Sequence, residues 1–289
     1  MPTKIEKDAV TGTDTTGHEW DGIKELNTPL PKWWLYTFYA TIIWSLGYYV
    51  FYPAWPSLSG HTPGVLGWTM RGEIAAEMEA AKLAQAPNVS RIAASSLEDI
   101  RKSADLRTYA MAGGRSAFGV QCAPCHGAGG AGSKGFPNLV DDNWIWGGTL
   151  DEIYTTIQYG VRNTNDKSRL SQMPRFGADG ILTARQIDDV AEYVLSLSRR
   201  SGDAAAAGRG AAVYAENCVA CHQEGGTGNQ ELGAPNLAAN IWMYGGDKAT
   251  IVETIRNARQ GAMPAWSERL DDATVKMLAV YVHALGGGK

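Results

Sequence analysis

The chain carries no basic excess and no cysteine beyond two short clusters. Its 289 residues hold 26 Lys and Arg against 30 Asp and Glu, a formal net charge of −4, and only 4 cysteines. A slightly acidic chain without a basic run or a base-stacking motif does not bind nucleic acid, because a phosphate backbone must be met by clustered cations. No catalytic apparatus is visible either. Between Trp33 and Tyr52 there is no charged residue, and residues 53–70 contain no Lys or Arg. What is present must therefore be explained by the cysteines, by one long apolar run and by an internal repeat.

All four cysteines fall in the pattern Cys-x-x-Cys-His, as Cys122 and Cys125 before His126, and Cys218 and Cys221 before His222. At this spacing two thiols sit one helical turn apart and can both add to the vinyl groups of a single haem. The adjacent imidazole is then held beneath the porphyrin, where it can bind iron. Each motif predicts one covalently attached haem c. A zinc site is the first alternative, but the motifs lie far beyond zinc-ribbon spacing. A redox dithiol or a pair of disulfides leaves the histidine after each pair unexplained. Covalent haem attachment takes place outside the bacterial cytoplasmic membrane, so the pattern points to the periplasm, where unoccupied cysteines would oxidise.

Residues 33–52 read as a membrane anchor. A run of roughly 20 apolar residues matches a hydrocarbon core about 30 Å thick. Aromatic residues crowd both ends, as rings settling among headgroups do. Pro29 and Pro31 precede the run, and Pro53 and Pro56 end it. A buried core helix is the plain alternative. A cleaved signal peptide is disfavoured by the long segment ahead of the run and by the lack of a small-x-small site after it. Lys4, Lys7, Lys24 and Lys32 precede the span. The positive-inside rule then puts the N-terminus in the cytoplasm and the haem motifs in the periplasm. This is a single-pass topology in the bacterial inner membrane.

Residues 53–104 read as a periplasmic linker with helices: one over residues 71–86, ended by Pro87, and a second opened by a capping box at Ser95-Ser96-Leu97-Glu98. Beyond residue 105 the chain repeats. Pro137-Asn138-Leu139 answers Pro235-Asn236-Leu237, Trp144 answers Trp242, and Thr156-Ile157 answers Thr254-Ile255. Met173-Pro174-Arg175-Phe176 answers Met263-Pro264-Ala265-Trp266, and Tyr193-Val194 answers Tyr281-Val282. Each unit closes with a helix, the first opened by a Thr183/Gln186 capping box and the second by Asp271 or Asp272. The small-residue stretch 201–208 links them. The expected architecture is all-α: a cytoplasmic segment (1–32), a transmembrane helix (33–52), the linker (53–104) and two haem domains (105–200 and 201–289).

A haem iron held by one histidine needs a sixth ligand or an open position. Met173 and Met263 both stand before a proline, which fixes a non-helical backbone suited to presenting a thioether. Thioether opposite imidazole favours ferrous iron and raises the potential. Met111, Met243 and Met277 lack the proline and read as core filler. His18, His61 and His283 read as solvent-facing. From spacing it is simplest that each methionine serves its own repeat; exchange of the two methionine loops between the repeats is the alternative.

Both repeats resemble class I cytochrome c in their Cys-x-x-Cys-His motif, Pro-Asn-Leu loop, Met-Pro loop and terminal helix with its tyrosine. The stretch from His18-Glu19-Trp20-Asp21-Gly22-Ile23 to Lys32-Trp33-Trp34 resembles the N-terminal signature of the CcoP/FixP subunit of cbb3-type cytochrome c oxidases, so the likeness covers nearly the whole chain. It implies a non-catalytic electron-transfer subunit. Electrons would enter from a periplasmic cytochrome c or the bc1 complex and leave through a monohaem subunit to the haem-copper subunit that reduces oxygen and pumps protons. Some members carry an additional transmembrane helix that is missing here. Competing readings are a shuttle serving another complex, and a dihaem peroxidase or gas sensor, which would need an exchangeable iron ligand.

Overall fold

The computed structural model describes residues 4–288, which divide into two compact units at Leu83/Ala84. The first unit opens with an antiparallel hairpin, β1 (Thr15–Trp20) and β2 (Ile23–Leu26), in which Trp20 pairs with Ile23. Asp21 and Gly22 form its turn with φ of +47° and +86°. Positive φ at both central residues is the turn that matches the twist of a two-residue hairpin, and Asp-Gly is a preferred pair for it. Helix α1 (Lys32–Phe51) follows and stops at an extended Tyr52, the residue that Pro53 excludes from helix. None of its residues is buried. By mean hydropathy no helix among the described residues is long and apolar enough to cross a membrane. A two-residue pairing, β3 (Pro56–Ser57) with β4 (Gly60–His61), completes the strands. The expectation of an all-α chain is thus corrected by these hairpins, while helix dominates the remainder.

Helix α2 (Met70–Ala94) runs straight through Pro87, where a helix end was expected. Pro87 cannot donate to the carbonyl of Leu83, but this stretch is exposed and water can satisfy that oxygen. The cap of the next helix lies one residue later than expected. Ser96 accepts from the Asp99 amide at 3.1 Å and opens α3 (Leu97–Lys102), after which Ser103 breaks the chain before α4 (Ala104–Gln121).

The second unit contains α4, the short α5 (Ala123–His126), α6 (Leu150–Tyr159), α7 (Ala184–Leu197), α8 (Ala204–Asn217), the short α9 (Val219–His222), α10 (Lys248–Asn257) and α11 (Asp272–His283). Local caps set most of these ends. Thr149/Glu152 and Thr183/Gln186 form complete capping boxes, and Asp203, Asp247 and Asp271 each accept from a first-turn amide. Helix α8 begins inside the stretch expected to be linker, so the true connection from α7 is shorter.

Two buried cores divide this unit, and they do not follow the order of the repeats. One joins Phe118 of α4 and Ile153 of α6 to Val275, Leu278 and Val282 of α11. The other joins Ile187 and Val190 of α7 to Tyr214 of α8 and Ile251 of α10. The closing helix of each repeat therefore packs on the opening helix of the other. Both crossings are built alike. A Cβ on Gly114 would lie 2.3 Å from the Met277 carbonyl oxygen, and one on Gly210 would lie 2.0 Å from that of Asp189. The Phe118 and Tyr281 rings meet at 5.4 Å in the first crossing, and Tyr214 and Tyr193 at 4.9 Å in the second. The second crossing is further tied by Arg209, which donates through Nε and Nη2 to the buried Asp189 carboxylate.

Candidate cofactor sites

Each cysteine motif is one tight turn of helix. The His126 and His222 amides donate to the Cys122 and Cys218 carbonyls, both at 2.9 Å, which puts both thiols and the imidazole around a single turn. Past the motif the chain doubles back. Gly132 donates to the His126 carbonyl and Leu139 to that of Gly130, and Gly228 and Leu237 repeat this on His222 and Gly226. These bonds bring the Pro-Asn-Leu segment beside the histidine, where Nδ1 lies 3.0 Å from the Pro137 carbonyl oxygen in the first site and 3.0 Å from that of Pro235 in the second. A carbonyl can only accept, so Nδ1 carries the proton and Nε2 keeps its lone pair for a ligand. Burial pushes both imidazoles below the usual histidine range, which keeps them neutral and coordinating.

The four thiols are unbridged. Burial raises Cys122 and Cys218 to about 11, with a smaller push from the neighbouring cysteine. No cluster of three or more His, Cys, Asp or Glu side chains able to hold a metal ion occurs among the described residues. A ligand set that small weighs against the zinc alternative.

A cavity of about 650 Å³ borders the second motif, lined by Cys218, Cys221, His222 and Trp242 and, from the first repeat, by Met173 and Pro174. Met173 is partly buried against the second core and Met263 against the first, the one holding Cys122. Backbone pairing fixes the second placement: Val161 donates to the Met263 carbonyl at 3.0 Å, and Met263 donates back at 2.8 Å. Just beyond the methionines the same crossing recurs, with Ser267 donating to Gln158 and Gly177 to Arg256. Both methionines thus sit with the opposite repeat's cysteine motif. Met277 is buried core, as expected, whereas Met243 borders the cavity. His18 and His61 are exposed, and His283 is half-buried rather than solvent-facing.

Three arginines escaped the sequence reading. Arg169 stacks over Trp146 and donates to the Glu152 carbonyl, and Arg259 stacks over Tyr244 and donates to that of Thr250. These are corresponding positions of the two repeats, and a basic residue shortly before each Met-Pro was the signal available. Arg162 borders the cavity as well. Neither Arg162 nor Arg259 forms an ion pair with a carboxylate among the described residues, while Arg169 feels the Glu152 carboxylate. Burial depresses the affinity of Arg162 and Arg169 for their proton, and Arg169 Nε is buried with no partner. A buried cation calls for an anion. An apolar cleft with paired thiols, a neutral imidazole, a thioether and unpaired guanidinium groups fits an iron porphyrin with its carboxylate side arms.

Comparison with known proteins agrees with this chemistry. Residues 12–59 match the family described as the N-terminal domain of cytochrome oxidase-cbb3, FixP, and residues 110–194 and 205–282 match cytochrome c oxidase, cbb3-type, subunit III. The cbb3-type cytochrome c oxidase subunit CcoP of Azospirillum brasilense is 58% identical over 98% of this chain and 99% of its own. The FixP subunit of Bradyrhizobium diazoefficiens is 53% identical over the full length of both, and the CcoP subunit of Cereibacter sphaeroides is 49% identical over 95% of each. From its hairpin to its terminal helix, the chain belongs to the CcoP/FixP family of cytochrome c-type electron-transfer subunits of cbb3 oxidases.

Proposed function

We propose that the chain is a membrane-anchored, two-haem electron relay with exchanged methionines, Met263 capping the iron held by His126 and Met173 the iron held by His222. The crossed pairing carries this reading, since Met263 is laddered to Val161 beside the first core and Met173 borders the cavity of Cys218, Cys221 and His222. Bound haem supplies a one-electron couple, and methionine opposite histidine favours its ferrous side. The residues of the chain do the rest. Cys122, Cys125, Cys218 and Cys221 form thioethers, the Pro137 and Pro235 carbonyls orient the histidines, and the apolar cores exclude water from both sites.

Helix α1 would hold the relay in the inner membrane, with the first residues in the cytoplasm and both haem lobes in the periplasm. Its lack of buried residues and its aromatic ends support a bilayer rather than a protein core as its surroundings. Mean hydropathy undervalues such a segment because indole and phenol score as polar, although both rings settle at membrane interfaces. Electrons would enter from a periplasmic cytochrome c or the bc1 complex. They would leave through a monohaem subunit to the haem-copper subunit that reduces oxygen.

Redox titration of the purified protein tests the ligand scheme. Cys122→Ala and Cys218→Ala should each lose one covalent centre, which assigns the two signals. Met263→His should then lower the potential of the centre lost in Cys122→Ala, and Met173→His that of the other. The opposite pattern would return each methionine to its own repeat. Unchanged potentials would remove it from the ligand set.

A further inference from the structure

The exchange meets at one side chain. Arg162 sends Nε to the Gly261 carbonyl at 2.7 Å and Nη1 to the Ser171 carbonyl at 3.1 Å. Gly261 lies just ahead of Met263, and Ser171 just ahead of Met173. A single rigid fork therefore grips the approach to both methionines. Its neighbour Val161 is laddered to Met263, and its own amide donates to the Arg169 carbonyl at 2.9 Å. Arg162 adopts this position with φ of +49°. A left-handed backbone at a long side chain persists only where several contacts fix it.

The charge matters as much as the fork. The guanidinium borders the same cavity as Met173 and His222 and has no carboxylate partner among the described residues. Tyr244 is the titratable neighbour that acts on it electrostatically. Both of its acceptors are neutral carbonyls, so no protein carboxylate cancels its charge, which stays available to the carboxylate side arms of a bound porphyrin. A fixed cation in a poorly solvated cleft opposes ferric iron more than ferrous iron, which carries one positive charge fewer.

We propose that Arg162 is a positioning residue shared by the two redox centres, holding both methionine loops in register and raising both potentials with one charge. The proposal rests on the exchanged ligation above. It assigns to one residue a coupling that two independent cytochrome domains would lack.

The test uses the haem-loaded chain with Arg162→Gln, Arg162→Lys and the exposed control Arg101→Gln. Two readouts are needed: the midpoint potential of each centre and the sulfur-to-iron charge-transfer band. Arg162→Gln should lower both potentials, each by about a tenfold change in the ferric-to-ferrous ratio, or 59 mV for a one-electron couple. It should also weaken the band of both centres. Arg162→Lys keeps the charge without the fork, so it should restore most of the potential shift while leaving the bands weak. A shift at one centre alone, or at neither, overturns the proposal, as does a shift of the same size in Arg101→Gln. A native protein without any sulfur-to-iron band would instead overturn the methionine ligation itself. If the Gln variant fails to take up haem, the Lys variant decides: native bands in it would show that the fork is dispensable.

Discussion

Gly210 and Gly208 stand on the same helix, yet only one tolerates a methyl group. On α8 a Cβ at Gly210 would come within 2.0 Å of the Asp189 carbonyl oxygen and 2.9 Å of the Val190 Cα, whereas one at Gly208 meets nothing within 4 Å. The blocking atoms of α7 are backbone, so they cannot swing aside and the helices must part. Forcing one carbon into a packed contact costs about 1–3 kcal/mol. Alanine returns up to ~1 kcal/mol through its better helix propensity. With the full return subtracted, Gly210→Ala should lose up to roughly 2 kcal/mol net, which for a unit of this size lowers Tm by about 2–4 °C per kcal/mol. Gly208→Ala should hold or gain stability. The same contrast applies on α4, where Gly114 faces Met277 and Tyr281 while Gly119 faces open space. Thermal unfolding of the haem-loaded protein, followed by far-ultraviolet dichroism, checks it. Because Met173 packs against the core built on the α7–α8 crossing, the sulfur-to-iron band of the His222 centre should fade before that of the His126 centre in Gly210→Ala. Equal stability of Gly210→Ala and Gly208→Ala would refute the packing argument.

Glu192 on α7 is buried and accepts from Ser201 Oγ at 2.6 Å and Lys248 Nζ at 3.0 Å, and these contacts hold it below the ordinary glutamate value of 4.5. A lowered folded-state value means that the stabilisation is complete at neutral pH and is lost as pH falls through that value. Denaturant midpoints should therefore drop as pH is taken below 4.5, and Glu192→Gln should flatten that drop. For α1, alkaline washing of membranes should leave the chain in the pellet. Release into the supernatant would remove the anchor reading.

Much of the site was legible because its determinants are local. The Thr183 box and the Asp271 cap each act within a turn of helix, and each stands where expected. Pairing was not legible. Helices α7 and α11 carry such similar apolar faces that either could close either lobe, and a face does not name its partner. One clue was available: α7 ends at Leu197 and α8 begins at Ala204. Sequential elements on a short connection usually pack together. The Asp21-Gly22 pair likewise announces a hairpin, because Asp-Gly is a preferred two-residue turn between strands. Pro87 misled for the opposite reason, since its rule assumes that the orphaned carbonyl has no water.

The crossing of α11 onto α4 fixes an order of completion. A chain synthesised from its N-terminus presents α7 and α8 one after the other, so the downstream lobe has all its walls once α10 is out. The upstream lobe, first to appear, stays open until Val275, Leu278 and Val282 arrive at the very end. Loss of the last dozen residues thus injures the earlier half of the molecule and spares the later, the reverse of what a string of independent beads would suffer.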